Sequence, residues 1–345
     1  MRLRTTRLTD VTQTFLSACV LLIFSRNTDI PICLRTTYFL MKKIKTYTLF
    51  FVIALIITAC ASDSKMKNIE IQGHRGARGY APENTLPSFL KALELGVDVL
   101  ELDVVISADN QVIVSHEPWF NHKICTKPDG TASTIEEEDG IKILDLTSAQ
   151  IKQYDCGKRG NPDYPEQAQI AATKPLLNEV FTTIEKRVKD GKNAEIKYNI
   201  EIKSRPIWDG VFTPPPAKFT RLVYDEVVKV GLKERVCIQS FDVRTLQEIH
   251  KIDASVTTAL LISNNDGIDQ NIKALGFTPT IYSPNHFLLN AEEIRKLRDK
   301  NIRVIPWTVN EKLHIRRLIE WGVDGIISDY PDRVNEVLNE MQHDS

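Results

Sequence analysis

No glycine-rich dinucleotide-binding turn follows a strand-like run in this chain of 345 residues, which argues against an open doubly wound sheet. There is no collagen-like repeat and no sign of general disorder: 42% of residues are apolar and 26% charged, ordinary for a globular protein. An excess of positive charge is also missing. The formal net charge is −1. Five basic and two acidic side chains precede residue 41, and three basic ones fall in 41–59, so the part from Cys60 onward carries −7. Nucleic-acid binding relies on a basic footprint, and that class is excluded.

Long apolar runs are scarce too, and the one that matters lies near the N-terminus. Met41-Lys42-Lys43-Ile44-Lys45 is a basic start, followed by the apolar run Leu49 to Ile57 and then Thr58-Ala59-Cys60. Such a run is too short for an ordinary membrane-spanning helix but suits a secretory signal. Ile57-Thr58-Ala59-Cys60 resembles a bacterial lipobox, which implies a lipidated Cys60 as first residue of an exported, membrane-anchored chain. On this reading 41–59 is a lipoprotein signal peptide and 60–67 a tether. Residues 1–40, with their own apolar run Phe15 to Phe24, are then an extension from a start codon placed too early; the alternative is a first membrane segment. Export fits the remaining cysteines. Cys125 and Cys156 lie in one loop-rich stretch where a disulfide is possible, though spacing does not fix the pairing, and Cys237 sits in a strand-like run as a small hydrophobe.

From Asn68 onward strand-like and helix-like runs alternate. The strands are expected at Ile69–Gly73, Val99–Ile106, Asn199–Ile202, Val236–Gln239, Thr257–Ile262, Thr280–Ser283, Arg303–Thr308 and Gly325–Ser328. Helices are expected at Leu86–Leu95, Leu176–Val188, Lys218–Val230, Val243–Ile252, near Ile272–Leu275, and at Ala291–Asp299, Leu313–Trp321 and Arg333–Met341. Such alternation requires parallel pairing through right-handed crossovers, and eight units suit an α/β fold, the (β/α)8 TIM barrel. A hairpin arm at Gln111–Ser115 and a Pro-, Gly- and acid-rich segment over about 119–173 do not fit the repeat. They read as an insertion after the second strand of one domain spanning 68–345.

Polar residues concentrate where such a barrel places its site, at the C-terminal ends of the strands. The first strand runs into His74-Arg75, the second carries Glu101-Leu102-Asp103, the arm ends at His116, and the third barrel strand carries Glu201-Ile202-Lys203. Alternation puts Glu101 and Asp103 on one face, and Glu201 and Lys203 likewise. Buried carboxylates on one face repel unless a cation or proton intervenes. Three of them without a cysteine suit a hard divalent cation, Ca2+ or Mg2+. The competing reading is a layer of salt bridges of Glu201 with Lys203 and Arg75. His74 and His116 are candidate acid and base, while His122, His250, His286 and His314 lie without carboxylate company. Arg75 and Lys203 offer positive charge to a phosphate oxygen.

The run His74 to Thr85, His-Arg-Gly-Ala-Arg-Gly-Tyr-Ala-Pro-Glu-Asn-Thr, resembles the opening motif of the glycerophosphodiester phosphodiesterases. The resemblance continues through Glu101-Leu102-Asp103, Ser115-His116-Glu117, Glu201-Ile202-Lys203, Gln239-Ser240-Phe241-Asp242, Pro306-Trp307-Thr308 and Ser328-Asp329. It implies that Glu101, Asp103 and Glu201 ligate one divalent cation, that His74 and His116 are the acid/base pair, and that Arg75 and Lys203 contact phosphate. Trp307 falls where an aromatic residue lines the glycerol pocket, and Glu83 and Asn84 brace the first loop. The implied reaction is hydrolysis of small glycerophosphodiesters to sn-glycerol 3-phosphate and an alcohol such as choline or ethanolamine. The other readings are a phospholipase D-like activity on lysophospholipids and a non-catalytic surface lipoprotein.

Overall fold

The computed structural model describes residues 68–191 and 195–344. Residues 1–40, the signal-like run 41–59, Cys60 and the rest of 60–67 lie outside the described residues. Among the described residues no helix is long and apolar enough to cross a membrane.

The described part begins with β1 (Glu70–Gly73), α1 (Leu86–Glu94), β2 (Val99–Ile106) and the arm β3 (Val112–Val114), which pairs antiparallel with β2. After a short helix α2 (Ser148–Ile151) come α3 (Leu177–Gly191), β4 (Lys197–Ile202), α4 (Pro216–Lys229), β5 (Val236–Ser240), α5 (Val243–Ile252) and β6 (Thr257–Ile262). The last part is α6 (Ile268–Leu275), β7 (Ile281–Pro284), α7 (Ala291–Asp299), β8 (Arg303–Val304), α8 (Lys312–Trp321), β9 (Gly325–Ser328) and α9 (Pro331–His343). Eight parallel strands follow the order β8-β7-β6-β5-β4-β2-β1-β9. The gap between β8 and β9 is crossed by bonds from Asp324 N to Val304 O (2.8 Å) and from Ile327 N to Pro306 O (3.0 Å). The (β/α)8 barrel read from the sequence is the fold.

Alternation along the strands builds two cores. Leu100, Leu102, Leu260, Tyr282 and Ile326 join the large layer between strands and helices. Ala259, Ile281, Ile305 and Ile327 form a separate apolar cluster of alternate residues inside the barrel. Burying such faces is the main favourable contribution to the fold.

Three expected boundaries differ for physical reasons. The seventh barrel strand, expected over Arg303–Thr308, closes as a regular strand at Val304, because Pro306 has no N–H for the ladder. Its hydrogen bonds to β7 persist from Ile305 N to Tyr282 O (3.2 Å) and from Trp307 N to Pro284 O (3.1 Å). Helix α6 begins at Ile268, earlier than its apolar residues suggest, and stops at Gly276, whose φ of 84° is left-handed. Helix α4 starts at Pro216, where a fixed φ and a missing N–H suit a first turn.

The inserted segment forms no barrel strand. It has its own small core of Phe120, Ile124, Cys125, Ile143, Ile151 and Cys156, packed on Val105 and Ile113. Cys125 and Cys156 are joined by a disulfide, and Phe120 stacks on Tyr154 at 3.7 Å. A satellite core this small gains from a covalent cross-link that limits its unfolded chain.

Candidate active site

The first loop is shaped by a backbone conformation that few residues adopt. Arg75 has a left-handed φ of 49°, and this turns its N–H onto Glu101 Oε2 at 2.8 Å. Gly76 follows with φ 87°, where an added Cβ would lie 2.4 Å from Ser88 Oγ. Asn84, also left-handed, donates to Asp103 Oδ2 (2.8 Å) and accepts from Asp103 N (3.2 Å). Glu83 accepts from Arg75 Nη1 at 2.7 Å. Both residues brace the loop.

Glu101, Asp103 and Glu201 converge, each offering an oxygen within 4.8 Å of the others, all buried. Lys203 Nζ lies 2.7 Å from Glu201 Oε1 and 3.7 Å from Asp103 Oδ1. Arg75 Nε lies 3.2 Å from Asp103 Oδ2 but is not aligned to donate, which leaves a buried donor unsatisfied at the site. The salt-bridge layer is therefore real, yet it does not neutralise the trio. Burial, then Asp103, pushes Glu101 well above the usual carboxylate range. Burial pushes Glu201 up to about 7 with help from Asp103, against the pull of Lys203. Asp103 is itself opposed by burial, but Arg75, His116 and Lys203 hold it well below its ordinary value. All-oxygen donors that cannot all ionise unaided fit a hard divalent cation.

Each predicted histidine has a carboxylate behind its ring. His74 Nδ1 lies 2.6 Å from Asp329 Oδ1, and His116 Nδ1 lies 2.7 Å from Glu117 Oε1. A carboxylate only accepts, so Nδ1 carries the proton and Nε2 is left as the working nitrogen. Burial, then the charge of Arg78, lowers His74 to about 4 despite Asp329. His116 is lowered by burial and by Arg75 and Lys203. Burial opposes ionisation of Asp329, but His74 and Arg78 outweigh it and hold the carboxyl far below its usual range.

A cavity of about 250 Å³ opens over these groups, lined by His74, Arg75, Glu101, His116, Glu201 and Lys203, with Trp307 among its further wall residues. All eight predicted site residues meet here; Asp103 lies beneath, its carboxylate buried among theirs. Trp307 is fixed by a bond from Nε1 to Ser283 O (2.9 Å) and meets Phe241 edge to face at 5.4 Å. A larger groove of about 680 Å³ near Lys152, Asp155 and Glu179 carries no such convergence.

Several partners escaped the reading by residue type. Asp329 also accepts from Arg78 Nε (2.9 Å), Asn310 Nδ2 (2.7 Å) and Tyr164 Oη (3.1 Å), so the insertion reaches the site. Gln239 Nε2 donates to Glu101 Oε1 (2.7 Å), and Asn199 Nδ2 ties Gln239 to Gln72. The strand-end rule that found Glu101 would have found Asp329. One expectation is corrected: His122 does have carboxylate company, since its Nδ1 lies 3.0 Å from Glu138 Oε2. That pair sits within the insertion, where a ring and an acid meet outside the cavity lining.

Residues 74–333 match the model of the Glycerophosphoryl diester phosphodiesterase family. A glycerophosphodiester phosphodiesterase of Bacillus subtilis (strain 168) is 30% identical over 270 residues, covering 76% of this chain and 84% of that protein. A lysophospholipase D of Rattus norvegicus is 24% identical, covering 78% of this chain and 85% of the relative. Among solved structures, a protein of Silicibacter pomeroyi DSS-3 described as a glycerophosphoryl diester phosphodiesterase superposes with a TM-score of 0.70 at 28% identity. The match covers 80% of this chain and 95% of that one. The motifs, the barrel and these likenesses agree: the chain belongs to the glycerophosphoryl diester phosphodiesterase family and is a phosphoric diester hydrolase.

Proposed function

We propose that the chain hydrolyses small glycerophosphodiesters to sn-glycerol 3-phosphate and an alcohol. The observation that carries this reading is the buried trio Glu101, Asp103 and Glu201 set between two carboxylate-backed histidines in one cavity. Glu101, Asp103 and Glu201 would hold Ca2+ or Mg2+, which supplies Lewis-acid polarisation of a phosphoryl oxygen when bound. Arg75, with its unsatisfied Nε, and Lys203 would bind the remaining phosphate oxygens. Nε2 of one histidine would take the proton of the nucleophile, water or the glycerol 2-hydroxyl, while the other histidine, protonated at Nε2 before the step, would pass that proton to the leaving oxygen. Trp307 would pack against the glycerol carbons. A phosphodiesterase of Oleispira antarctica with this fold, 19% identical at a TM-score of 0.61, was solved with the product sn-glycerol-3-phosphate.

The test is glycerol 3-phosphate release by the full chain from a panel of glycerophosphodiesters, with and without Ca2+ or Mg2+. Metal-dependent release supports the proposal, and no release from any member overturns it. A second reading, hydrolysis of lysophospholipids, draws on Ile207, which is 79% exposed two residues after the cavity-lining Arg205. Lysophosphatidylcholine in the same assay separates the two.

We further propose export and anchoring through a lipidated Cys60. The disulfide between Cys125 and Cys156 supports an oxidising compartment. Metabolic palmitate labelling should mark the chain and vanish in Cys60→Ser; labelling that survives the substitution excludes this anchor.

A further inference from the structure

In the barrel order β4 and β8 lie on opposite sides. Trp307 follows β8 and Arg205 follows β4, and both line the one cavity. A diester with its glycerol against Trp307 and its phosphate over the carboxylates would therefore direct its alcohol toward Arg205.

The loop after β4 holds that side chain in place. Pro206–Trp208 make a single 3-10 turn, closed by Trp208 N donating to Arg205 O at 2.9 Å. The Trp208 ring is fixed edge-on by Trp119 (5.8 Å) and Phe212 (6.3 Å), and the Arg205 guanidinium lies 4.7 Å from its centroid. Among the described residues Arg205 forms no ion pair with an acid. The nearby acids are committed elsewhere: Asp209 and Asp242 to Arg244 (both 2.6 Å), Glu201 to Lys203 (2.7 Å) and Glu83 to Arg75 (2.7 Å).

A quaternary ammonium needs an open aromatic face or an uncommitted carboxylate. This wall has no uncommitted carboxylate, and two of its rings already face cations. The Trp208 face carries Arg205, and the Phe241 face carries Lys203 Nζ at 5.9 Å. The acids lining the cavity are Glu101 and Glu201, both assigned to the cation. We infer that Arg205 is a specificity-determining residue that selects leaving alcohols bearing an anionic group over choline-like cations. This rests on the glycerophosphodiester reading and names the substrate class within it.

Glycerophosphoserine and glycerophosphoethanolamine differ by one carboxylate, which makes them the natural probe pair. With the full chain, kcat/KM should favour the serine diester by on the order of tenfold, as a charge-assisted contact gives. In Arg205→Gln the ratio should fall to about one, and in Arg205→Glu it should invert. A wild-type ratio near one overturns the inference, as does a variant that slows both substrates equally, which would make Arg205 a contact of the shared phosphate. Activity on both diesters without discrimination defeats the head-group assignment alone. No activity on either defeats the parent reading and this inference with it.

Discussion

The inner surface of the barrel has two unlike sides. Across β1, β2, β4 and β5 it is a ladder of amides and acids: Asn199 donates to Gln72 and Gln239, and Gln239 to Glu101, at 2.7–3.0 Å. Across β6, β7, β8 and β9 it is Ala259, Ile281, Ile305 and Ile327. Both sides are buried and both alternate with the same period. The apolar side stabilises the fold through area removed from water, and neighbours of similar shape would serve as well. The polar side is expensive unless every group is paired, and its pairing holds each carboxylate in one orientation. Chemistry gathers on the side where burial is costly.

Removing the cation proposed for the acidic trio should produce the largest contrast. Chelation with EDTA is expected to abolish hydrolysis, with recovery on adding Ca2+ or Mg2+; full activity in EDTA would make the polar side a salt-bridge layer only. Next comes His116→Ala, expected to lower kcat by about 10²–10⁴-fold, the usual contribution of an acid–base group. Steady-state kinetics with retained circular dichroism reads it. Gln239→Leu leaves all ligands in place but frees Glu101 Oε1, so metal affinity should weaken by about 10–100-fold. A metal titration of activity measures this, and unchanged affinity would reduce the amide ladder to packing. The smallest effect belongs to the apolar side. Ile281→Val should cost about 0.5–1.5 kcal/mol of stability in denaturant unfolding and leave kcat unchanged. A large kcat loss there would erase the distinction between the sides.

Much of this was legible beforehand because strand physics is local. Alternation placed Glu101 and Asp103 together, and the rule for parallel barrels placed His74, His116 and Lys203 at one mouth, while Trp307 came from the family resemblance alone. The disulfide between Cys125 and Cys156 was only one of the possible pairings, since connectivity depends on how the insertion packs. The acids behind the histidines show the same limit. Glu117 adjoins His116 in sequence, whereas Asp329 lies 255 residues from His74.

By itself the sequence determined which faces are buried, how many strand–helix units there are, and which residue types stand at the strand ends. Those follow from periodicity and side-chain chemistry, which act over a few residues. Only the tertiary structure decided which nitrogen of each histidine is free, which amide holds Glu101, and that the insertion's Tyr164 touches Asp329. Such choices depend on hydrogen bonds between residues far apart in the chain, and they exist only once the barrel has closed.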